Sequence, residues 1–111
     1  MSNHKSVKAK FEELRVFDSS TLTGGYDLFG SPLEFPARIV KFQNDSDEDV
    51  LISTDGIVDH DFLSQGDRCV FDLTANNNNT EGCFFPAGTQ FYLNGTAGTG
   101  NIYLTVIYTR D

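Results

Sequence analysis

Residues 88–109 read GTQFYLNGTAGTGNIYLTVIYT, and this stretch decides the fold class. Two runs rich in β-branched and aromatic residues, 88–94 and 101–109, flank a tip of Gly, Thr and Ala. That pattern predicts two antiparallel strands joined as a long hairpin. In the second run Ile102, Leu104, Val106 and Tyr108 fall on one pleat face, with Tyr103 and Ile107 on the other. A half-solvated strand alternates apolar with polar residues, so apolar side chains on both faces predict a strand covered on both sides. The chain therefore reads as an all-β unit whose last strand is central and buried.

Upstream the same grammar repeats. Residues 37–43 form a strand with Val40 and Phe42 on one face and Ile39 with the Lys41 stem on the other. An acidic turn at 44–49 leads to a strand at 50–54, closed by the tight-turn pair Asp55-Gly56. A short strand at 57–63, a turn at Gln65-Gly66-Asp67 and a strand at 68–73 follow. Residues 74–82 are a loop with four consecutive asparagines, and 83–86 a brief apolar piece. Nearer the start, residues 11–17 fit either a first strand or a short helix. Residues 21–33, rich in Gly and aromatics, read as a wrapping segment that pins Tyr26, Leu28 and Phe29 to the body. Short strands with turn signals every eight to twelve residues predict a single antiparallel β-sandwich, jelly-roll-like, or a small barrel.

Length and charge narrow the function. A chain of 111 residues has room for one domain and one core, and a small core gains from self-association. Ten Phe and no Trp predict a core built on phenylalanine. Lys5, Lys8 and Lys10 stand in an acid-free opening of ten residues, read as a mobile basic arm, with the sandwich domain over 11–111. The domain then holds five Lys/Arg (eight minus these three) against all sixteen acids, a net of −11. Such a body repels phosphate backbones, so no nucleic acid is expected on the folded part. No apolar leader or membrane-length segment is seen, so neither secretion nor a membrane partner is expected. The Asn78 and Asn94 sequons are then plain loop residues.

Candidate chemistry is sparse. Asp45, Asp47 and Asp49 alternate as in a calcium loop, but Val50 and Gly56 stand where that loop needs Gly and Glu. The cluster reads as a solvated turn, a loose cation site being the minor alternative. His60 lies between Asp59 and Asp61, yet the only other histidine is His4, so a His-rich metal site cannot form within one chain. Cys69 and Cys83 match no zinc or redox spacing, and Cys69 shares a face with Phe71 and Leu73, as a buried free thiol would. No nucleophile elbow or phosphate-cradling loop is present. No catalytic residue, cofactor or metal ligand is assigned, and no enzymatic activity is expected.

The stretches Arg38-Ile-Val-Lys-Phe-Gln-Asn44, Asp49-Val-Leu-Ile-Ser-Thr-Asp-Gly56 and Asp61-Phe-Leu-Ser-Gln-Gly66, with the ending after Gly98, resemble small β-sandwich minor structural proteins of tailed-bacteriophage virions. The likeness spans about residues 37–108, with the Ser-x-Asp-Gly and Gly-Thr-Gly turns as its most specific parts. It implies a non-enzymatic head-decoration, neck or tail-associated subunit in the virion, made in the host cytoplasm. Its partners would be copies of itself and capsid, portal or tail proteins. Lys5, Lys8, Lys10, Phe84, Phe85, Tyr92, Thr96, Thr99 and Tyr103 are the expected contact residues, the tyrosines fitting an interface or the core equally. The alternative is a soluble module recognising a carbohydrate or receptor, with Tyr26 or Tyr92 as stacking platform.

Overall fold

The computed structural model describes residues 8–73 and 84–110. Nine strands run in chain order: β1 Lys8–Phe11, β2 Arg15–Asp18, β3 Tyr26–Leu28, β4 Ala37–Ser46, β5 Val50–Ser53, β6 Asp61–Leu63, β7 Arg68–Asp72, β8 Tyr92–Gly95 and β9 Gly100–Arg110. A single 3-10 turn, Ser19–Thr21, follows β2 and is capped by the Asp18 carboxylate accepting the Ser20 N–H. All strand pairs are antiparallel and form two sheets. One is five-stranded, ordered β1-β9-β4-β7 with β2 also on β9, and the other four-stranded, ordered β3-β8-β5-β6.

β1 and β2 are two halves of one interrupted edge strand, since Phe11 pairs with Ile107 while Arg15 pairs with Leu104 on the same flank of β9. Counted so, each sheet has four positions. Apart from the break between β1 and β2 and the connection from β5 to β6, every connection passes from one sheet to the other. Two four-stranded antiparallel sheets linked in this way are the jelly-roll form of the β-sandwich, as the strand pattern predicts.

The final hairpin is a correction. β8 pairs with β3 and β5, whereas β9 pairs with β4, β1 and β2, so residues 95–100 cross between sheets instead of turning within one. Two alternating runs around a Gly-rich tip carry no record of which sheet each joins, and β9 finds its longer partner in ten-residue β4. The crossover lies close against the acidic turn, where a Cβ at Gly98 would collide with the Asp47 carboxylate and one at Gly100 with the Asp45 carbonyl.

The core fills the space between sheets. Val40, Phe42, Ile102, Leu104 and Val106 face inward from the five-stranded sheet, and Val50, Ile52, Leu63 and Leu93 from the other. Phe42 is the hub, its ring edge-to-face with Phe29, Phe71 and Phe91 at 6.0, 6.1 and 5.2 Å. β9 is central, yet only one of its faces is buried: Tyr103, Thr105 and Ile107 remain half-exposed. Phe29 is buried as expected, but Tyr26 and Leu28 lie on edge strand β3 and face outward from the body.

Residues 11–17 are strand, not helix, broken by an inward-turned Glu12. Its carboxylate meets Arg15 at 2.9 Å in a buried ion pair. Glu12 also accepts the N–H groups of Glu34 and Phe35, and Arg15 donates to the carbonyls of Ser31 and Pro32. The pair staples the edge strand to residues 31–35. Of the expected mobile arm, Lys8–Lys10 are instead strand residues paired with β9.

Candidate functional site

With the core closed, what the molecule offers a partner is its two outer sheet faces. On the five-stranded sheet, Phe11, Ile107 and Ile39 form one cross-strand row, Val16, Tyr103 and Gln43 another, and Thr105, Lys41 and Val70 a third. Phe11 is 68% exposed, and Val16 and Val70 are more than half exposed. On the four-stranded sheet, Tyr26, Asn94, Leu51 and Phe62 form one row and Leu28 lies beside Tyr92. Ile57, 77% exposed, and Val58 extend that surface from the loop before β6. Cross-strand neighbours on one face share a continuous surface, so both faces present apolar patches ringed by polar groups.

The two sheets differ in their cations, though both carry acids, since Asp18, Asp45 and Asp72 lie on strands of the five-stranded sheet. Every lysine and arginine among the described residues stands on the five-stranded sheet: Lys8 and Lys10 on β1, Arg15 on β2, Arg38 and Lys41 on β4, Arg68 on β7 and Arg110 on β9. The four-stranded sheet has none. Asp27 and Asp61 lie on its strands and Asp47, Glu48, Asp49, Asp55 and Asp59 on its connecting loops.

The acidic residues singled out from the sequence serve as separate loop anchors. The Asp45 carboxylate accepts from the Gln43 amide, Asp47 from the Thr99 N–H and Asp49 from the Gln65 N–H. Among the described residues no group of three or more His, Cys, Asp or Glu is arranged to hold a metal ion. Asp55 accepts the N–H groups of Ile57 and Val58, which hold its carboxyl below the usual Asp value.

His60 pairs differently from its sequence neighbours. Its Nδ1 accepts the Thr54 N–H at 3.0 Å, which assigns the ring proton of the neutral imidazole to Nε2, 3.9 Å from Asp55 Oδ2. Asp59 accepts the Tyr26 hydroxyl at 2.7 Å, and that bond raises the Tyr26 pKa. Asp61 accepts the Cys69 thiol at 3.2 Å. Burial, then the Asp61 carboxylate, pushes the Cys69 pKa up to about 11, so the sulfur stays protonated and weakly nucleophilic near neutrality. Cys69 is a half-buried free thiol facing the core with Phe71.

Two cavities open beside these groups. One of about 230 Å³ is lined by Ile52, Phe71, Phe85 and Phe91 with Thr54, His60 and Asp61. Another of about 240 Å³ lies over the Glu12–Arg15 pair and is lined also by Phe35 and Tyr108, whose rings stack at 4.3 Å. In the first, His60 and Asp61 are engaged by protein partners, as are Glu12 and Arg15 in the second.

The expected contact residues do not form one surface. Tyr103 lies on the outer face of the five-stranded sheet and Tyr92 on that of the four-stranded sheet, its ring against Gly56. Thr96 and Thr99 are exposed in the crossover at the end where β9 begins. Exposed Lys10 and Phe84 belong to the opposite end, where β1 meets Tyr108. Phe85 is partly buried: it bridges Ala37 and packs edge-to-face on Phe71 and Phe91 against the core. Two adjacent phenylalanines alternate sides of an extended chain, so one faces in when the other faces out. Lys5, Cys83 and the asparagine-rich loop at 74–82 lie outside the described residues, and of Lys8 only the backbone is described. Sequence reading missed that the described lysines and arginines all stand on one sheet, which appears only once each is assigned to a strand.

Compared with family models, curated proteins and solved structures, the chain has no significant match.

Proposed function

We propose that this protein is a non-enzymatic structural subunit of the kind found in tailed-phage virions, acting through contacts with copies of itself and with other virion proteins. The observation that carries this reading is the pair of apolar outer faces on a sandwich that already has a core of its own. Side chains such as Phe11, Leu28, Ile57 and Phe62 stand outside that core and are stabilised by covering from outside. The jelly-roll topology supports the same reading, since it is a common form of viral capsid subunits, although fold alone assigns no function. A mass-spectrometric inventory of purified particles tests it. The protein should appear at a fixed copy number per particle; its absence from particles made by cells that express it overturns the proposal.

A specific observation favours a second reading, a module recognising a carbohydrate or receptor. Tyr26, Tyr92 and Asn94 share the outer face of the four-stranded sheet, with Asp59 bonded to the Tyr26 hydroxyl. Rings beside polar groups are how protein surfaces stack on sugars, and jelly rolls also serve as lectin domains. Saturable glycan binding that is lost in Tyr92→Ala would favour the module. Its absence across a broad glycan panel would remove it.

A further inference from the structure

We propose that two copies of this chain join edge to edge, β7 pairing antiparallel with its own copy about a two-fold axis at Val70; this deepens the subunit reading above and rests on it. β7 ends the five-stranded sheet, and among the described residues no strand lies on its far side. The ladder tells which backbone groups face that open side. Leu73 donates its N–H to the Arg38 carbonyl and the Asp67 carbonyl accepts the Asn44 N–H, so Cys69 and Phe71 between them bond to β4. Val70 therefore turns its N–H and C=O away from the sheet, as do the residues two places either side of it. Arg68 agrees, since its N–H bonds the adjacent Asp67 carboxylate and not β4. An open ladder of this kind is a template for another strand.

The charge pattern of β7 selects a second copy as that strand. In a two-fold antiparallel pair, opposite side chains share a face only if the axis passes through a residue opposite its own copy. With Val70 opposite Val70, Arg68 of each copy falls opposite Asp72 of the other, at both ends of the contact. All three residues are exposed on the outer face, Val70 by 53%. Opposite charges facing each other across strands stabilise the pair, and like charges destabilise it. The sign of each charge sets this, whatever further neighbours the side chains have. No other edge strand is complementary to itself. β1 has no acid, β3 and β6 have no base, and in β2 Arg15 and Asp18 are three apart and so lie on opposite faces. Each copy has one β7, so the contact closes at two. It joins the two five-stranded sheets into one and leaves the outer faces of both sandwiches open to other partners.

Sedimentation velocity and amide hydrogen exchange on the full chain, over one concentration series, test this. Wild-type protein should pass from monomer to dimer. Exchange of the Val70 N–H should slow as the dimer forms, while Cys69 and Phe71, already bonded to β4, should change little. Val70→Pro removes the N–H at the axis and should abolish the dimer. Proline is tolerated where a strand N–H faces outward, so circular dichroism should show the fold intact. Arg68→Asp sets acids opposite acids and Asp72→Arg sets bases opposite bases, so each alone should weaken dimerisation about tenfold or more. An equimolar mixture of these two should recover most of the loss, since every facing pair is then unlike in sign. The charge variants keep the test decisive if Val70→Pro fails to fold. Slow Val70 exchange already present in dilute monomer would mean that the chain covers this edge itself, and overturns the contact. So does association of any order that leaves Val70 exchange fast or ignores the charge variants, and so does a chain that stays monomeric at every soluble concentration. A monomer in solution that is present at fixed copy number in particles would overturn the edge contact and leave the subunit reading standing. A β7 dimer of a protein absent from particles would overturn the subunit reading and keep the contact.

Discussion

The two sheets are held together by different means. The five-stranded sheet rests on β4 and β9, ten and eleven residues long, whose pairing runs from Ile39 with Ile107 to Ser46 with Gly100. Its inward rows feed the phenylalanine core directly. The four-stranded sheet is built of strands of three and four residues, and its connections are fixed largely by side chains bonding backbone. Ser53 Oγ accepts the N–H of Gly56, Asp55 caps Ile57 and Val58, and His60 accepts the Thr54 N–H. Short strands leave many backbone groups to be satisfied elsewhere. Apolar burial should therefore set the global stability, and polar bonds should set the local order of the four-stranded side.

The strongest test removes the hub. Phe42→Ala takes away a fully buried ring that touches three other phenylalanines and leaves a cavity between the sheets. The expected loss is about 3–5 kcal/mol, read by chemical denaturation with tyrosine fluorescence or circular dichroism as probe. A loss below about 1 kcal/mol would mean the rows on the two sheets do not share one core, and the contrast between sheets would fail.

Asn44 tests the polar side of the comparison. It points inward two residues after Phe42 and is fully buried, with every side-chain polar atom engaged. Its amide donates to the carbonyls of Glu48 and Leu63, and its oxygen accepts the N–H and hydroxyl of Ser46. One side chain thus joins the turn before β5 to the end of β6. Asn44→Ala removes one donor from each of those carbonyls and the acceptor of the buried Ser46 N–H, at a cost of about 1–3 kcal/mol. Amide hydrogen exchange should quicken most at residues 46–50 and 63–67, and less at Leu104 and Val106. Uniform quickening across both sheets would show that the polar bonds support the whole molecule equally.

That division also explains what could be read in the sequence. The alternation at Val40 and Phe42 and at Ile102, Leu104 and Val106 marks the inward face of long strands, because a period of two is a property of the strand alone. The strands at 50–54 and 68–73 were legible for the same reason. The sheet that β8 joins depends on long-range pairing, which alternation does not encode. Ile57 and Val58 have strand-like composition, yet Asp55 captures their N–H groups and bends them into a turn before β6 begins at Asp61. Nothing in the local pattern marks Arg15 and Glu12 as buried, because charged side chains seldom lie inside. Their burial follows from each finding the other and the backbone of residues 31–35. For the candidate surfaces, Tyr92 and Tyr103 were recognisable as aromatic strand residues. That they lie on opposite outer faces follows only from the sheet assignment.

The smallest expected effect is at Asp55. In the folded protein its carboxylate accepts N–H bonds first from Ile57 and then from Val58, and both favour the charged form. The folded pKa therefore lies below the unfolded one. The stabilisation is fully present above the ordinary Asp pKa and is lost as pH falls through the depressed folded value. Near neutrality the loop 54–60 should be fully capped, and acid should release it before the core rows respond. The amide resonances of Ile57 and Val58 should titrate together, with an apparent midpoint below the ordinary Asp value of 3.8. Val106 should not move over that range. Asp55→Ala should abolish that titration and quicken exchange at those two amides while leaving the global denaturation midpoint nearly unchanged, as is usual for exposed sites. A midpoint at or above 3.8 would show that the N–H bonds do not favour the charged carboxylate. A global loss as large as that of Asn44→Ala would place Asp55 among the groups that hold both sheets, and the separation of local from global effects would fail at its weakest point.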